Sequence, residues 1–212
     1  MLHSEPLQKL QGIVSEAQAK DRKIHYLPCY RTESKIHLAA LLETKPELVN
    51  NSTSIEFINA IIALRSVKEE QEVHEIEQMI DVAFLMHTTA MKMAKVGITE
   101  SEIAGKIEGI CLSHGHAVSF PVICSIHGET LHNPYYNNTL SEGRLLLTDA
   151  GAESVLHYAS DITRTTPVGG RFNNRQREIY EIVLKANMEV INVVKPGSPY
   201  KDAHFAAAKV IA

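Results

Sequence analysis

Apolar residues recur every three or four positions over most of the chain, which is the spacing of one face of an α-helix. In the first such stretch Leu7, Leu10 and Ile13 repeat at this spacing. The same pattern returns after each polar or Pro/Gly-containing interruption. The pattern predicts helices over residues 6–20, 33–42, 54–65, 66–97, 99–114, 173–195 and 200–212.

Several of these helices begin with a residue pair that can satisfy the first free backbone N–H groups. Ser54 is a suitable N-cap, because its hydroxyl can accept a hydrogen bond from the first turn. A Ser, Thr or Asn followed three residues later by Glu or Gln is typical of a capping box. We predict such boxes at Ser66/Glu69, Thr99/Glu102 and Asn173/Gln176.

The helix predicted after Ser66 carries a stripe of apolar residues that we expect to face the core. His87 lies on this stripe, so we interpret it as a core histidine rather than a metal ligand. The stripe consists of Val73, Ile76, Ile80, Phe84, His87, Met91 and Ala94.

Beyond Gly115 the apolar pattern changes towards a period of two, which is typical of strands. It predicts strands over residues 118–126, 144–150 and 154–161, and a short separate strand over residues 24–28. The connection at Gly151 is short, so we expect residues 144–150 and 154–161 to form a hairpin.

The most polar interruption is residues 44–53, which contain Pro46 and an Asn-Asn-Ser-Thr cluster. We place a domain junction there. Residues 1–53 then form a small leading segment whose single strand has no sheet of its own, and residues 54–212 form a larger α+β unit.

Charge and composition exclude several classes of function. The chain has 21 Lys+Arg against 25 Asp+Glu, so it has no basic field for nucleic acid or a membrane surface. Its apolar runs are shorter than the roughly 20 residues of a membrane helix. The three cysteines lack CxxC spacing, and residues 1–10 show no secretory pattern. We therefore expect a cytoplasmic protein.

Two aspartates are the strongest candidates for chemistry. Asp149 and Asp161 lie near the ends of the two hairpin strands, and a tight hairpin would bring their carboxylates side by side. Two such carboxylates repel each other unless cations lie between them, and a pair of divalent metals is the usual solution. The alternative is structural: Asp149 opens a turn, and Asp161 caps the chain before Arg164.

The segment around these aspartates resembles the metal-binding signature of the pita-bread metallopeptidases, in particular the Xaa-Pro aminopeptidase and prolidase branch. The similarity is carried by residues 149–153 (DAGAE), 158–165 (YASDITRT) and 167–170 (PVGG). Further segments resemble the same branch in the same order, namely 63–68 (ALRSVK), 97–104 (GITESEIA), 131–132 (LH) and 176–180 (QREIY).

The resemblance implies a fold and a site. The fold would be α+β, the first half of a pita-bread (creatinase/aminopeptidase-like) catalytic domain, preceded by the tail of an α/β N-terminal domain. Asp149 would chelate one metal and Asp161 would bridge two, with Thr163 orienting a ligand carboxylate. His132 would hydrogen-bond the substrate and stabilise the developing oxyanion. Tyr135 and Tyr136 would line the substrate cleft.

The implied activity is that of a metallo-aminopeptidase that releases the residue preceding a proline in second position. A hydroxide bridging two divalent metal ions, Mn²⁺ by expectation, would attack the peptide carbonyl. The partner would be a proline-containing peptide, and the intact protein would form a homo-oligomer.

The family completes its metal site with one His and two Glu further downstream, and we identify none of them in these 212 residues. We therefore expect a partial chain that is inactive by itself. Two other interpretations stay open: an Xaa-Pro dipeptidase, and a non-catalytic pita-bread binding module.

Overall fold

A computed structural model describes residues 5–212. The predicted lack of a secretory signal in residues 1–10 includes residues 1–4, which lie outside the described residues. The chain divides into two compact units, and the division lies between Glu69 and Glu70. The junction predicted after residue 53 therefore falls within the first unit. Among the described residues, no helix is both long and apolar enough to cross a membrane.

The first unit is helical. Ser54 caps its third helix as predicted, because its Oγ accepts a hydrogen bond from the Phe57 N–H at 3.2 Å. Val49 and Ala39 are the most deeply buried apolar side chains here. The helices are α1 (Leu10–Ala19), α2 (Thr32–Leu41) and α3 (Ile55–Ser66), with short 3-10 turns at Leu7–Lys9 and Val49–Ser52.

The strand predicted at residues 24–28 is wrong, because this segment is irregular. Hydrogen bonds that involve side chains, rather than a strand ladder, connect this region to residues 49 and 50. The Tyr26 hydroxyl donates to the Val49 carbonyl at 2.8 Å, and the Cys29 N–H donates to Asn50 Oδ1 at 2.9 Å. A strand needs a partner to form its ladder, and residues 24–28 pair with no strand among the described residues.

The second unit contains α4 (Glu70–Met93), α5 (Glu100–Ser113), α6 (Asn174–Val193) and α7 (Tyr200–Ile211). The capping boxes predicted at the starts of α5 and α6 are both confirmed. The box predicted at Ser66 is wrong. Ser66 ends α3, and its hydroxyl donates to the Ile62 carbonyl at 2.7 Å.

The buried face of helix α4 overlaps the predicted stripe only in part, since His87 is buried as predicted and most of the stripe is not. Of that stripe, Ile80, Phe84 and Met91 are at least 40% exposed. One residue is about 100° around a helix, so a shift of one position moves the buried face by that angle. The buried residues of α4 are Met79, Val82, Ala83, Met86, His87 and Ala90.

Two small antiparallel sheets complete the second unit. The strands are β1 (Ala117–Val118), β2 (Ile123–Ser125), β3 (Leu145–Ala150), β4 (Ala152–Glu153) and β5 (Ile162–Pro167). One sheet has the order β2-β3-β5, and β1 pairs with β4 in the other. The strand predicted over residues 118–126 is therefore split between two sheets.

The strand predicted over residues 154–161 is wrong, since β3 pairs with β5 instead. Residues 154–161 form most of the connection between them. The Ser154 hydroxyl accepts hydrogen bonds from the N–H groups of Leu156 and Tyr158, and His157 has a φ of 64°. Such local serine bonds compete with strand pairing and favour a turn.

The core lies between α4, α5 and the β2-β3-β5 sheet. It includes the fully buried Met79, Met86, Ile103, Ile107, Leu140 and Leu146. Cys111 and Cys124 also belong to it.

The three cysteines should differ sharply in reactivity. Cys111 and Cys124 are buried, and burial raises the pKa of the Cys124 thiol to about 12. Because the thiolate is the reactive form, only the partly exposed Cys29 should react with Ellman's reagent in the native protein. Unfolding in urea should release the other two thiols. The folded Cys29→Ser variant should show no fast reaction with Ellman's reagent. A second fast-reacting thiol in the folded, unmodified protein would contradict the burial of Cys111 and Cys124.

Candidate active site

Asp149 lies in β3, and Asp161 directly precedes β5 of the same sheet. Asp149 is near the end of β3 and is directly opposite Thr163 of β5. Asp161 comes two residues before Thr163, just outside β5, which places it diagonally across from Asp149. The two carboxylates line one cavity. They meet diagonally, rather than directly across a hairpin formed by residues 144–150 and 154–161.

The electrostatics of this pair are unfavourable without a cation. Partial burial, and after it the negative charge of Asp149, raise the pKa of Asp161 above its ordinary value. Oδ1 of Asp149 is buried and has no hydrogen-bond partner among the described residues. A buried oxygen without a donor is costly, and a cation would relieve both problems at once.

The connection between β3 and β5 holds Asp161 in place through its neighbour Ser160. The Ser160 hydroxyl donates to the Met79 carbonyl of α4 at 2.9 Å and accepts from the Ala152 N–H at 3.0 Å. Its carbonyl accepts from the Ser119 hydroxyl at 2.8 Å. The backbone next to Asp161 is therefore fixed on three sides.

Gly151 makes this arrangement possible. A Cβ atom at residue 151 would lie 1.8 Å from the Ser160 carbonyl oxygen and 2.5 Å from Ser119 Oγ. Only glycine allows two backbone segments to approach this closely. The close packing against Ser160 and Ser119 therefore explains why the DAGAE segment has glycine at position 151.

His132 reaches the same cavity from a loop between β2 and β3. The cavity has a volume of about 360 Å³, and His132, Asp149 and Asp161 all line it. His132 has a φ of 51°, a left-handed conformation that is uncommon outside glycine. The remaining wall is mostly apolar and consists of Phe120, Pro121, Val122, Ile123, Asn133 and Pro134.

The other predicted site residues lie outside the cavity wall. Thr163 is the cross-strand partner of Asp149 and is exposed. Tyr136 packs against the core, and its hydroxyl donates to the Val122 carbonyl. Tyr135 is 66% exposed. Their predicted roles in the cleft and in orienting ligands stay predictions.

His87 is a buried core residue, as predicted. It is 4% exposed, and its Nε2 lies 3.2 Å from the Ala150 carbonyl, next to Asp149. Burial lowers the pKa of His87 below its usual value, partly opposed by this carbonyl. We therefore expect a neutral imidazole that packs behind the end of β3.

The aspartate pair fits part of a metal site. Hard divalent cations prefer carboxylate oxygens, and the unpaired Asp149 Oδ1 is available to one. In residues 5–212, however, no group of three or more His, Cys, Asp or Glu side chains could hold a metal ion.

Comparison with known proteins assigns the family. The sequence model of metallopeptidase family M24 matches residues 74–212, which is more than half of the chain. The chain belongs to metallopeptidase family M24. The matched range of residues 74–212 contains His132, Asp149 and Asp161.

Relatives and solved structures agree with this M24 assignment. The Probable Xaa-Pro aminopeptidase PEPP of Coccidioides posadasii is 36% identical over 162 residues, which is 72% of this chain and 34% of that protein. The aminopeptidase PepP structure of Pseudomonas aeruginosa covers 98% of this chain with a TM-score of 0.81 and 25% identity. This chain covers 48% of that structure.

The prolidase structure of Pyrococcus furiosus is also similar, with a TM-score of 0.75 and 26% identity. It covers 99% of this chain, which covers 59% of it. The fold class expected from the resemblance is confirmed: a mixed helix and sheet fold that corresponds to about half of an aminopeptidase P. The chain thus spans about a third of the curated relative and about half of the solved structures that it matches.

Proposed function

We propose that this chain provides one half of the active site of an Xaa-Pro aminopeptidase, which releases the N-terminal residue from peptides with proline in second position. The observation that supports this most is the single cavity lined by Asp149, Asp161 and His132. A binding module without metal chemistry has no use for two repelling carboxylates. The curated relatives are named as Xaa-Pro aminopeptidases, which points to the same substrate class.

In this proposal Asp149 and Asp161 hold two divalent cations, which we take to be Mn²⁺. The cations supply the Lewis acidity that activates water and polarises the scissile carbonyl. His132 donates a hydrogen bond to the substrate near the Xaa-Pro bond, where negative charge develops on the carbonyl oxygen. Thr163, opposite Asp149, helps to orient the ligand carboxylate.

The proposed site needs ligands beyond these two carboxylates. A divalent cation takes about six oxygen or nitrogen ligands, so two aspartates leave most of the coordination to water. We propose that the remaining ligands, one His and two Glu, come from sequence outside residues 1–212. Residues 1–212 alone should therefore bind Mn²⁺ weakly and hydrolyse nothing.

We further propose that residues 1–53 are the C-terminal part of an N-terminal domain, and that residues 54–212 are the N-terminal half of the catalytic domain. The active protein would be a cytoplasmic homo-oligomer. The three free cysteines are typical of a reducing compartment and support the cellular location.

Peptide hydrolysis tests the function. A chain of the relatives' length that contains residues 1–212 should release the first residue of an Xaa-Pro tripeptide in the presence of Mn²⁺. The same peptide with alanine in second position is the control and should be cleaved poorly. Residues 1–212 alone should be inactive. Hydrolysis by these residues alone, or no Xaa-Pro preference in the longer chain, would contradict the proposal.

The second candidate is an Xaa-Pro dipeptidase, which the similarity to the Pyrococcus furiosus prolidase favours. Substrate length separates the two activities. The longer chain should cleave an Xaa-Pro tripeptide faster than the matching dipeptide if it is an aminopeptidase. The reverse order would establish the dipeptidase.

A further inference from the structure

Glu100 is a fully buried carboxylate that the proposed mechanism does not use. It lies in the first turn of α5, and its exposed fraction is 0%. Oε1 accepts hydrogen bonds from the Ile126 N–H at 2.8 Å and from Asn138 Nδ2 at 3.0 Å. Oε2 accepts from the Asn138 N–H at 3.1 Å and again from Asn138 Nδ2 at 3.0 Å.

These partners lie at the two ends of one segment. Residues 126–138 leave the core just after β2 and return beside the start of α5, where the Glu100 N–H donates to the Asn138 carbonyl at 3.0 Å. His132 lies midway along this segment. One side chain thus fixes both ends of the loop that carries the proposed substrate-binding histidine.

Glutamate suits this position because a carboxylate has only acceptors. The donors that reach Glu100 are neutral, two backbone N–H groups and one amide, and no ion pair of Glu100 is present among residues 5–212. In a glutamine, an NH₂ group would replace one of the two acceptor oxygens and would point at N–H groups that are themselves donors. Such a loss in a buried site leaves unsatisfied groups and forces the loop ends to move.

The sequence gives little sign of this role. Glu100 is next to Thr99 and close to Glu102, so it resembles another acidic residue in the first turn of a helix. Its neighbour Glu102 is exposed and completes the capping box. Only the folded chain separates the buried carboxylate from the capping one.

We propose that Glu100 is a positioning residue that holds His132 at the cavity shared with Asp149 and Asp161. The inference rests on the proposed function, because it assumes that His132 acts beside a cation bound by the aspartates. Glu100 touches neither substrate nor cation. It acts through the loop of residues 126–138, whose ends it joins.

Paramagnetic broadening by Mn²⁺ tests this in the 212-residue chain. In the unmodified chain, Mn²⁺ should broaden the NMR signals of the Ala150 and Ile162 amides and of the His132 ring. In Glu100→Gln, the amide signals should broaden as before, while the His132 ring loses most of its broadening. A purely structural contribution of Glu100 would lower the melting temperature and leave the His132 broadening unchanged.

Glu102→Gln is the matched control. It makes the same substitution on the same turn of α5, and glutamine keeps the capping box, so all signals should behave as in the unmodified chain. If Glu100→Gln does not fold, Asn138→Ala decides, because it removes only the amide from the cluster. It should lose part of the His132 broadening, and unchanged broadening in this folded variant would overturn the proposal.

Failure of the proposed function has a different signature. Absence of Mn²⁺ broadening at Ala150 and Ile162 in the unmodified chain would refute the cation site itself. The positioning role of Glu100 would then be tested by measuring the NMR relaxation of the His132 ring in the metal-free chain. A ring that becomes more mobile in Glu100→Gln than in Glu102→Gln would support its positioning role, and equal mobility would overturn it.

Discussion

Replacement of Gly151 by alanine should lower the free energy of unfolding by roughly 3 kcal/mol, the upper end of what overpacking usually costs. The added Cβ would lie 1.8 Å from the Ser160 carbonyl oxygen. Backbone, rather than a flexible side chain, would have to move. Because Ser160 is tied to α4 and to Ser119, the strain cannot be relieved locally.

The change should also displace Asp161, which follows Ser160 directly. Urea unfolding followed by circular dichroism measures the stability. Gly109→Ala is the matched control, since nothing lies within 4 Å of a Cβ at that helical position. It should stabilise the protein by about 0.8 kcal/mol through helix propensity. Equal stability of Gly151→Ala and the unmodified chain would show that the close approach is not real.

We expect the second large effect from Asp161→Asn. It should weaken Mn²⁺ binding, but it should not destabilise the metal-free chain. Loss of a residue that only hydrogen-bonds to a metal ligand typically lowers metal affinity by roughly 10–100-fold. Asp161→Asn removes a proposed ligand itself, so Mn²⁺ affinity should fall by more than that. Without metal, however, it removes the repulsion from Asp149. The folded chain should therefore be as stable as before, or more stable.

The raised pKa of Asp161 gives the sign of this stability effect. A carboxyl whose pKa is higher in the folded than in the unfolded chain lowers stability at neutral pH, and that loss disappears as the pH falls through the folded pKa. Asn has no such charge, so the difference from the unmodified chain should vanish in acid. Thermal melts at neutral and acidic pH measure it.

Asp81→Asn provides the control for Asp161→Asn. Asp81 is an exposed carboxylate of α4 and does not line the cavity. This variant should leave Mn²⁺ affinity unchanged. Retained Mn²⁺ affinity in Asp161→Asn would contradict the proposed ligand.

Features that depend on neighbouring residues were predictable from the sequence. The Thr99/Glu102 and Asn173/Gln176 boxes are closed within one turn, so their residue types suffice to locate them. The irregular segment at residues 24–28 was not predictable in this way. Its partners Val49 and Asn50 lie more than 20 residues away.

The pairing of β3 illustrates the same limit for the site. The period-two pattern of residues 154–161 suits a strand, but register depends on long-range pairing, and the Ser154 and Ser160 hydroxyls draw this segment into a loop. The aspartates could be chosen from their spacing and the DAGAE resemblance. Their diagonal relation, and the link between Glu100 and the His132 loop, required the fold.

Calorimetric titration with Mn²⁺ tests the central claim most directly, namely that residues 1–212 hold half of an M24 metal site. It should be run on this chain and on a chain of the relatives' length that contains it. We expect tight binding only in the longer chain, with weak binding by residues 1–212 that depends on Asp149 and Asp161. Tight binding by residues 1–212 alone, or none in the longer chain, would contradict the account.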